Sequence, residues 1–430
     1  MNELLLNVVG WTVFITGLAL SIGLHEFGHL IPAKIFGVRV PHWAIGFGPK
    51  LFSKKIGETE YALRLVPLGG FITMIGMYPP AKPGKPDENR RFGRIIAESR
   101  KAHSEHMIAG DENRTLYSKP AWQRIVIMLG GPFMNLILGL VLIVVALAGF
   151  SNQVSGPRIE SISQCVDQML DPNATCKLDS KPSPAKTAGL EPGDLVLKVD
   201  GKPVAISADY SSVLAQEPLV QHTLTVKRGQ ENLNLTIVPT KLTFTQTDPK
   251  TGETVNVDVT RIGVSTNIVD YSVPVPEAIS SAWNGTVQTF GFIGEFPQKV
   301  YESAASLFTG SERASDSAIS IVGMAQVSGE IAAADSGFGP KVQSFLYLLG
   351  SINIALFAFN LLPFPPLDGG HVAGGIYEYL KRGAYRVVGK KDPGPVDTAL
   401  LAPLTQFMFL LLLGAGLLVI IADFINPITL

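Results

Sequence analysis

Residues 21–30 read Ser21-Ile22-Gly23-Leu24-His25-Glu26-Phe27-Gly28-His29-Leu30. They continue an apolar run that starts at Leu4, in which Asn7 is the one sizeable polar side chain. On a helix, His25 and His29 are four residues apart on the same face, so both imidazoles can reach one metal ion. The carboxylate of Glu26 lies beside them, where it could take a proton from a metal-bound water. Because the run is long enough to span a bilayer, the cluster is expected near one edge of a membrane.

The composition of the chain indicates a membrane protein. Of its 430 residues 46% are hydrophobic and 17% are charged, whereas soluble domains have about 25% charged residues. The net charge is -1 and no basic stripe with interleaved aromatic residues is present, so nucleic acid is not an expected partner. The two cysteines, Cys165 and Cys176, form no C-x-x-C pair. They form a disulfide if this part of the chain lies outside the cytosol, or stay unpaired.

Four apolar segments are expected to cross the membrane: residues 1–37, 122–150, 343–380 and 402–430. The stretch 38–121 has fourteen Lys and Arg against eight Asp and Glu, and residues 381–401 are also basic. By the positive-inside rule both loops are cytoplasmic, which places the two termini outside the cytosol. Residues 151–274 then form an extracytoplasmic region, and residues 275–342 form a linker.

The first cytoplasmic loop is expected to contain a β-hairpin and a mobile insertion. Residues 59–67 alternate weakly as a strand, Leu68-Gly69-Gly70-Phe71 predicts a turn, and residues 72–75 are expected to pair back. Residues 82–118 are rich in Pro, Lys, Arg and Glu, which is typical of a mobile loop. His103 and His106 lie in that insertion without a third ligand, so we expect them to be solvated.

The second span begins with Gly130-Gly131-Pro132-Phe133-Met134-Asn135. Small residues there allow close helix packing, and a buried amide in a membrane helix usually bonds to a neighbouring helix. Asn135 could line a functional site, but a structural hydrogen bond is the favoured interpretation.

The extracytoplasmic region contains Ala188-Gly189-Leu190-Glu191-Pro192-Gly193-Asp194, followed by a strand at 195–199, a helix at 208–216 and strands at 222–227 and 233–238. Over residues 155–240 this pattern resembles a PDZ domain of the bacterial protease type. PDZ domains bind peptides by adding a strand to a sheet edge; the alternative is a domain that only fills space. In the linker, apolar residues at helical spacing predict an amphipathic helix that lies on the membrane or packs on the PDZ-like domain: Ile279, Trp283, Val287, Phe290 and Ile293. We expect this aromatic stripe to be a packing face rather than a binding site.

A catalytic zinc usually has three protein ligands, and two histidines leave one missing. The best candidate follows the third span, in Asn360-Leu361-Leu362-Pro363-Phe364-Pro365-Pro366-Leu367-Asp368-Gly369-Gly370-His371. An acid such as Asp368 at the edge of an apolar helix is costly unless it is paired or binds a cation. The prolines break the helix, which is tolerated at membrane depth only inside protein or at a watery cavity. His371 is expected to flank the site, because another ligand would close the position that water needs.

Together, H-E-x-x-H on the first span and N-x-x-P-x-P-x-L-D-G-G after the third resemble the site-2 protease family of intramembrane zinc metalloproteases, in its bacterial branch with one PDZ domain. The similarity extends to Gly46-Phe47-Gly48-Pro49, to the turn at residues 67–71 and to Gly131-Pro132-x-x-Asn135. It implies that His25, His29 and Asp368 bind one Zn²⁺ and that Glu26 is the general base. It also implies that Asn360 contacts the substrate or the transition state.

The expected fold is therefore an α-helical polytopic membrane protein with an α/β PDZ-like insertion and a small cytoplasmic, membrane-associated β-sheet. The family implies a zinc endopeptidase in the bacterial plasma membrane, with its active site near the cytoplasmic edge. Its substrate would be a single-pass membrane protein that another protease has already trimmed, such as an anti-sigma factor. The partners would be this substrate, the lipid bilayer and a peptide or protein ligand of the PDZ-like domain. The alternatives are an inactive scaffold that binds partners through that domain, and a metal carrier.

Overall fold

A computed structural model describes residues 3–81, 87, 91–171, 173–217, 219–247, 254–309, 313 and 317–426. The chain divides into two compact units, one made of Met1–Phe150 with Pro274–Leu430 and the other of Ser151–Val273. The helices in chain order are α1 (Glu3–Ile35), α2 (Gly93–Ser104), α3 (Ala121–Ala148), α4 (Val166–Leu170), α5 (Pro184–Thr187), α6 (Ser207–Gln216), α7 (Val275–Thr309), α8 (Ile321–Ala333), α9 (Phe338–Asn360), α10 (Asp368–Val387) and α11 (Ala402–Ile425). The strands are β1 (His42–Ile56), β2 (Thr59–Thr73), β3 (Asn152–Ile162), β4 (Leu195–Val199), β5 (Lys202–Pro203), β6 (His222–Arg228), β7 (Glu231–Ile237), β8 (Thr240–Thr247), β9 (Thr254–Arg261) and β10 (Val264–Tyr271).

Four helices of the described chain are long and apolar enough to cross a membrane: Glu3–Ile35, Ala121–Ala148, Phe338–Asn360 and Thr398–Ile425. They coincide with the four apolar segments of the sequence. The third segment differs in detail, because α9 begins at Phe338 and ends at Asn360, and α10 starts anew at Asp368. The Pro-rich stretch between them is not helical, as the sequence predicts.

Small residues bring the helices of the first unit together. A β-carbon on Gly28 of α1 would lie 2.2 Å from the carbonyl oxygen of Gly130 in α3, and one on Gly130 would lie 2.0 Å from that of Gly28. Helices that associate in lipid gain little from burying apolar side chains, so close backbone packing has to hold them together. The close approach of α1 and α3 fixes the distance between the histidine motif and the second span.

Helix α7 packs differently from the expectation for the linker. The aromatic stripe was predicted to be its packing face, but Trp283 and Ile279 are exposed. The small residues that precede them in the sequence, Ala278, Ala282 and Thr286, lie about a quarter of a turn away and are buried instead. The stripe contacts α9 through Phe290, whose ring lies 5.9 Å from that of Phe357. The predicted helix is confirmed, and its largely exposed stripe agrees with the alternative in which it lies on the membrane, because lipid can cover apolar side chains that protein does not.

Strands β1 and β2 form the small sheet, and their register shows two sets of pairings. Residues Tyr61–Leu63 lie opposite Trp43–Ile45 and also opposite Phe52–Lys54. The start of β1, His42–Ile45, also lies opposite the end of β2, Gly70–Thr73. The sequence predicted one strand at 59–67 and a return at 72–75. It missed β1, and Ile72 and Thr73 pair with β1 rather than with residues 59–67.

The predicted mobile insertion at 82–118 is partly helical. Residues 82–86 and 88–90 lie outside the described part of the chain, but α2 covers Gly93–Ser104. The side chain of Arg100 in α2 donates to Asp87 at 2.7 Å and to Asp397 at 2.7 Å. The pair with Asp397 attaches α2 to the segment that precedes α11.

The second unit is a sheet of order β10-β3-β4-β6-β7, with β5 paired to β4. Strands β4, β6 and β7 and helix α6 lie where the sequence predicts them. The unit continues past residue 240, the predicted end of the PDZ-like part, because β10 joins the sheet at its edge beside β3. Strands β8 and β9 form a separate antiparallel pair. The core of the unit is Ile159, Ala185, Leu190, Val196, Val199, Tyr210, Leu214, Leu224, Val226, Ile237 and Ile262.

Cys165 and Cys176 form a disulfide, which confirms the first of the two possibilities left open by the sequence. The bridge closes a loop that contains α4. Disulfides persist in oxidising compartments, so the bond agrees with an extracytoplasmic location for this unit.

Candidate metal centre

The structure brings three side chains from distant parts of the chain to one point. His25 Nε2 and His29 Nε2 are 3.2 Å apart, and each lies 3.3 Å from Asp368 Oδ2. Among the described residues, this is the one group of three His, Cys, Asp or Glu side chains whose ligand atoms all lie within 4.8 Å of one another. The two histidines predicted from one helix and the acid predicted more than three hundred residues later therefore meet.

The second ring nitrogen of His29 fixes its tautomer. His29 Nδ1 lies 2.8 Å from the carbonyl oxygen of Ile127 in α3. A carbonyl can only accept, so Nδ1 carries a hydrogen, and in the neutral ring Nε2, which faces Asp368, is left with its lone pair for a metal ion. Such a backbone partner behind a histidine is the usual way in which a metal-binding imidazole is oriented.

Asn135 lies behind the ring of His25. Its amide nitrogen is 3.1 Å from His25 Nδ1, while its Oδ1 is buried without a hydrogen-bond partner. Turning the amide over lets Oδ1 accept the Nδ1 hydrogen, which leaves His25 Nε2 free as a ligand. Asn135 does bond across to another helix as predicted, but it does so to a site residue. The predicted bond between helices is confirmed, and its partner favours the site-lining alternative that the sequence left open.

Gly131 leaves room for the ligand atoms. A β-carbon at this position would lie 2.2 Å from His29 Nε2 and 2.7 Å from His25 Nε2. The close packing of Gly28 on Gly130 places this part of α3 directly against the two rings. The sequence singled out Gly130 and Gly131 only as packing residues, and their proximity to the histidines was visible only in three dimensions.

Glu26 is partly buried next to the sheet. It interacts electrostatically with both histidines and with Asp368. A β-carbon on Gly70 of β2 would lie 3.0 Å from Glu26 Cγ. Glu26 therefore lies near both the three convergent side chains and the backbone of the sheet.

Asp368 is the first residue of α10, after the break that follows α9. The turn is tight, because a β-carbon on Gly369 would lie 2.3 Å from the carbonyl oxygen of Leu362. Asn360, predicted to contact substrate, is the last residue of α9 and is partly buried. His371 lies in the first turn of α10 and does not belong to the group of three.

The sheet includes a segment that is paired on a single side. Tyr61, Ala62 and Leu63 each have partners on both sides. In contrast, Gly70–Thr73 has partners only in His42–Ile45. Because a backbone that is paired on both sides has no free donors or acceptors, the available edge is the one next to Glu26.

The donor set fits a zinc ion. His25 Nε2, His29 Nε2 and Asp368 Oδ2 are all acceptors in the tautomers given above, and Asp368 Oδ2 is buried without a hydrogen-bond donor. Three converging acceptors repel one another unless a cation lies between them. Zinc bonds of about 2.0–2.2 Å in a tetrahedron require ligand atoms about 3.3–3.5 Å apart, and the observed separations are 3.2, 3.3 and 3.3 Å.

Comparison with known proteins gives a consistent picture. Residues 13–390 match the family model described as Peptidase family M50. The chain is 31% identical to zinc metalloprotease Rip1 of Mycobacterium bovis BCG, over 98% of this chain and 99% of that protein. It is 30% identical to zinc metalloprotease Rip1 of Mycobacterium tuberculosis H37Rv, over 98% of this chain and 99% of that protein. The protein of the same name from Mycolicibacterium smegmatis is 28% identical over 98% of both chains.

Proposed function

The chain belongs to peptidase family M50, the site-2 protease family, and is a zinc metalloprotease; from this premise we propose that it cleaves a membrane protein within or near the bilayer. The observation that carries the proposal is the convergence of His25, His29 and Asp368 beside Glu26, between two apolar helices that are long enough to span a membrane.

In the proposed reaction, His25, His29 and Asp368 hold the ion. When bound, zinc lowers the pKa of a water ligand towards about 7 and polarises the scissile carbonyl group. Glu26 takes a proton from the attacking water on its carboxylate and gives it to the leaving amine nitrogen. Asn135 and the carbonyl of Ile127 keep the two imidazoles oriented through their Nδ1 atoms. Asn360 contacts the substrate backbone or the transition state.

A substrate helix must unwind before it is cleaved, because its amide groups are otherwise occupied by hydrogen bonds within the helix. We propose that the unwound segment pairs with the free edge at Gly70–Thr73. This edge is supported by the register of the sheet and by the contact of Gly70 with Glu26. An added strand there would bring a scissile carbonyl next to the general base.

The second unit is proposed to act as a PDZ-like domain. A cavity of about 410 Å³ lies between α6 and the start of β10, and β10 is an edge strand. Its lining includes Tyr210 and Leu214 of α6 and Ile262–Val264 of the sheet edge. A peptide could add to β10 and place side chains in this cavity. The ligand would be a protein segment that selects or restrains substrates.

The proposed location is the bacterial plasma membrane. The basic segments 38–121 and 381–401 would be cytoplasmic, residues 151–273 and both termini would be extracytoplasmic, and the site would lie near the cytoplasmic edge. The proposed substrate is a single-pass membrane regulator, such as an anti-sigma factor, trimmed beforehand by another protease. Cleavage would release its cytoplasmic part as a signal.

The variant Glu26→Gln tests this proposal. It should keep about one zinc per chain, measured by elemental analysis, and lose cleavage of a membrane substrate by at least about a hundredfold, the range for a lost general base. A strain carrying it should accumulate trimmed membrane stubs, whose identification by mass spectrometry would reveal the substrates. Unchanged cleavage would exclude Glu26 as the base. Loss of zinc with the structure intact would also contradict the assigned roles.

A further inference from the structure

Helix α10 has one face fixed on the bundle. A β-carbon on Gly375 would lie 2.8 Å from Ile125 Cγ1 of α3, and Glu378, which is 1% exposed, forms an ion pair with Arg124 of α3. The second carboxylate oxygen of Glu378 accepts from the backbone of Val396 at 2.8 Å. These contacts hold the middle of α10 against the first turns of α3.

The opposite face of α10 is apolar and uncovered. Val387 is 87% exposed and Leu380 is 63% exposed. With 3.6 residues per turn, these positions and their neighbours lie on one side of the helix. The exposed apolar residues of this outer face are Ile376, Tyr377, Tyr379, Leu380, Val387 and Val388. A face of this size in contact with water would be unusual, so the outer face requires an apolar environment.

Basic side chains border the outer face. Residues 379–392 contain five Lys and Arg and one acid, Asp392. Asp392 pairs with Arg382. Within the described chain, Lys381, Lys390 and Lys391 form no ion pair, and Lys381 Nζ lies 5.8 Å from the centre of the Tyr377 ring. On the helical projection Lys381 and Arg386 lie at the two borders of the apolar face. A wide apolar face between basic borders is typical of a helix that lies in a membrane interface.

The position of α10 in the bundle agrees with an interfacial location. Its contacts are with the first turns of α3, which is one of the candidate membrane helices. At that end of α3, Trp122 is 52% exposed and packs edge-on against Phe36 at 5.3 Å. Exposed tryptophan at the end of a membrane helix marks the level of the lipid headgroups.

We propose that the outer face of α10 is a binding surface for anionic phospholipids of the leaflet that surrounds the start of α3. The apolar residues lie among the acyl chains, and Lys381, Arg386, Lys390 and Lys391 bind the headgroup phosphates. Basic side chains near an anionic membrane surface are attracted to it, so four of them give a clear preference over zwitterionic lipid. This inference rests on the proposed membrane spans but not on the proteolytic mechanism.

Lipid bound to this face also affects the metal centre. Asp368 is the first residue of α10, so any tilt of the helix moves the carboxylate relative to His25 and His29. The inner face packs on α3 at Gly375 and through the Arg124–Glu378 ion pair. Binding of the outer face to the membrane therefore restricts tilting of α10, and this keeps the Asp368 carboxylate close to His25 and His29.

The lipid site can be tested in nanodiscs with a fluorescent label on Leu380→Cys. The native cysteines are joined in a disulfide and leave the label unique. Brominated phosphatidylglycerol should quench the label at least about twice as strongly as brominated phosphatidylcholine at the same mole fraction. Replacing Lys381, Arg386, Lys390 and Lys391 by Gln should remove the preference. Replacing four exposed lysines of the second unit, Lys177, Lys181, Lys198 and Lys202, should leave it unchanged.

Equal quenching by the two lipids would overturn the proposal, and so would a label that neither lipid quenches. The effect on the metal centre is measured separately, as the time for a chelator to remove zinc from the Glu26→Gln protein. This variant makes the result independent of proteolysis. Zinc should be retained longer with phosphatidylglycerol than with phosphatidylcholine alone. Equal retention together with preferential quenching would leave the lipid site standing and refute its effect on Asp368.

Discussion

Gly131 of α3 lies directly against His29 of α1, so closely that a β-carbon on Gly131 would be 2.2 Å from His29 Nε2. The atom that a β-carbon would strike is one of the three proposed zinc ligands. The glycine is therefore needed for the site itself as well as for the packing of α3 on α1. The sequence alone does not show that Gly131 and His29 are in contact, because they lie on different helices and far apart in the chain.

Gly131→Ala should displace the imidazoles and empty the centre. We expect zinc per chain to fall well below one and cleavage to drop by about a hundredfold, as for other disturbed metal ligands. The matched control is Gly414→Ala in α11, where a β-carbon meets nothing within 4 Å. The control should keep full zinc content by elemental analysis. A Gly131→Ala protein with normal zinc content and activity would contradict this prediction, because α1 and α3 would then have moved apart without disturbing the site.

Asn135→Ala should weaken zinc binding by about 10–100-fold, because His25 loses the partner that orients its ring. The measurement is a competition titration with a chelator of known affinity. The control is Asn353→Ala, which removes another buried amide, one whose nitrogen donates to Ser21 at 2.9 Å. That variant should lose about 0.6 kcal/mol of helix association and leave zinc affinity unchanged. Equal effects of the two substitutions would mean that Asn135 is only structural.

Glu378→Ala should strongly destabilise the first unit, because it leaves Arg124 buried without its partner. Breaking a buried ion pair on one side costs about 3–5 kcal/mol, whereas replacing both partners by apolar residues is often neutral or stabilising. The double variant Arg124→Met with Glu378→Leu should therefore unfold at a higher temperature than Glu378→Ala. Thermal unfolding in detergent measures both. Similar midpoints for the single and double variants would contradict a destabilisation caused by an unpaired charge.

In the second unit, His222 and Asp200 should make stability depend on pH. His222 Nδ1 lies 2.6 Å from Asp200 Oδ2, and Nε2 lies 3.1 Å from the carbonyl oxygen of Glu217. Burial acts to lower the pKa of His222, but the hydrogen bonds to Asp200 and Glu217 outweigh it and raise the pKa. The hydrogen bond from His222 lowers the pKa of Asp200.

The stabilisation from His222 is complete below its unfolded pKa, about 6.5, and is lost as pH rises through the raised folded value. The stabilisation from Asp200 is present above about 3.9 and is lost as pH falls through its lowered folded value. Protection of the β6 amides in the full chain should therefore decrease between pH 6 and pH 9, by about 1 kcal/mol or less because Asp200 is partly exposed. His222→Gln should remove this dependence, which hydrogen exchange can measure. A parent protein with flat protection over this range would refute the prediction.

The sequence by itself determined the apolar spans, the two histidines on one helical face, and the acid that completes the group. These conclusions need only local information, because helical periodicity and the cost of a charge in lipid act residue by residue. The break before Asp368 was also predictable, since proline interrupts a helix wherever it occurs.

Only the tertiary structure decided which residues surround the ligands. Asn135 and Gly131 reach the histidines because Gly28 and Gly130 let two backbones touch, and the crossing point of two helices is not encoded in either helix alone. The free sheet edge at Gly70–Thr73, rather than at Tyr61, follows from a register in which β1 pairs twice. The sequence also did not show which faces of α7 and α10 are exposed. Lipid can cover an apolar face, so hydrophobicity alone does not determine the buried side of a membrane helix. Close packing of small residues determines it instead.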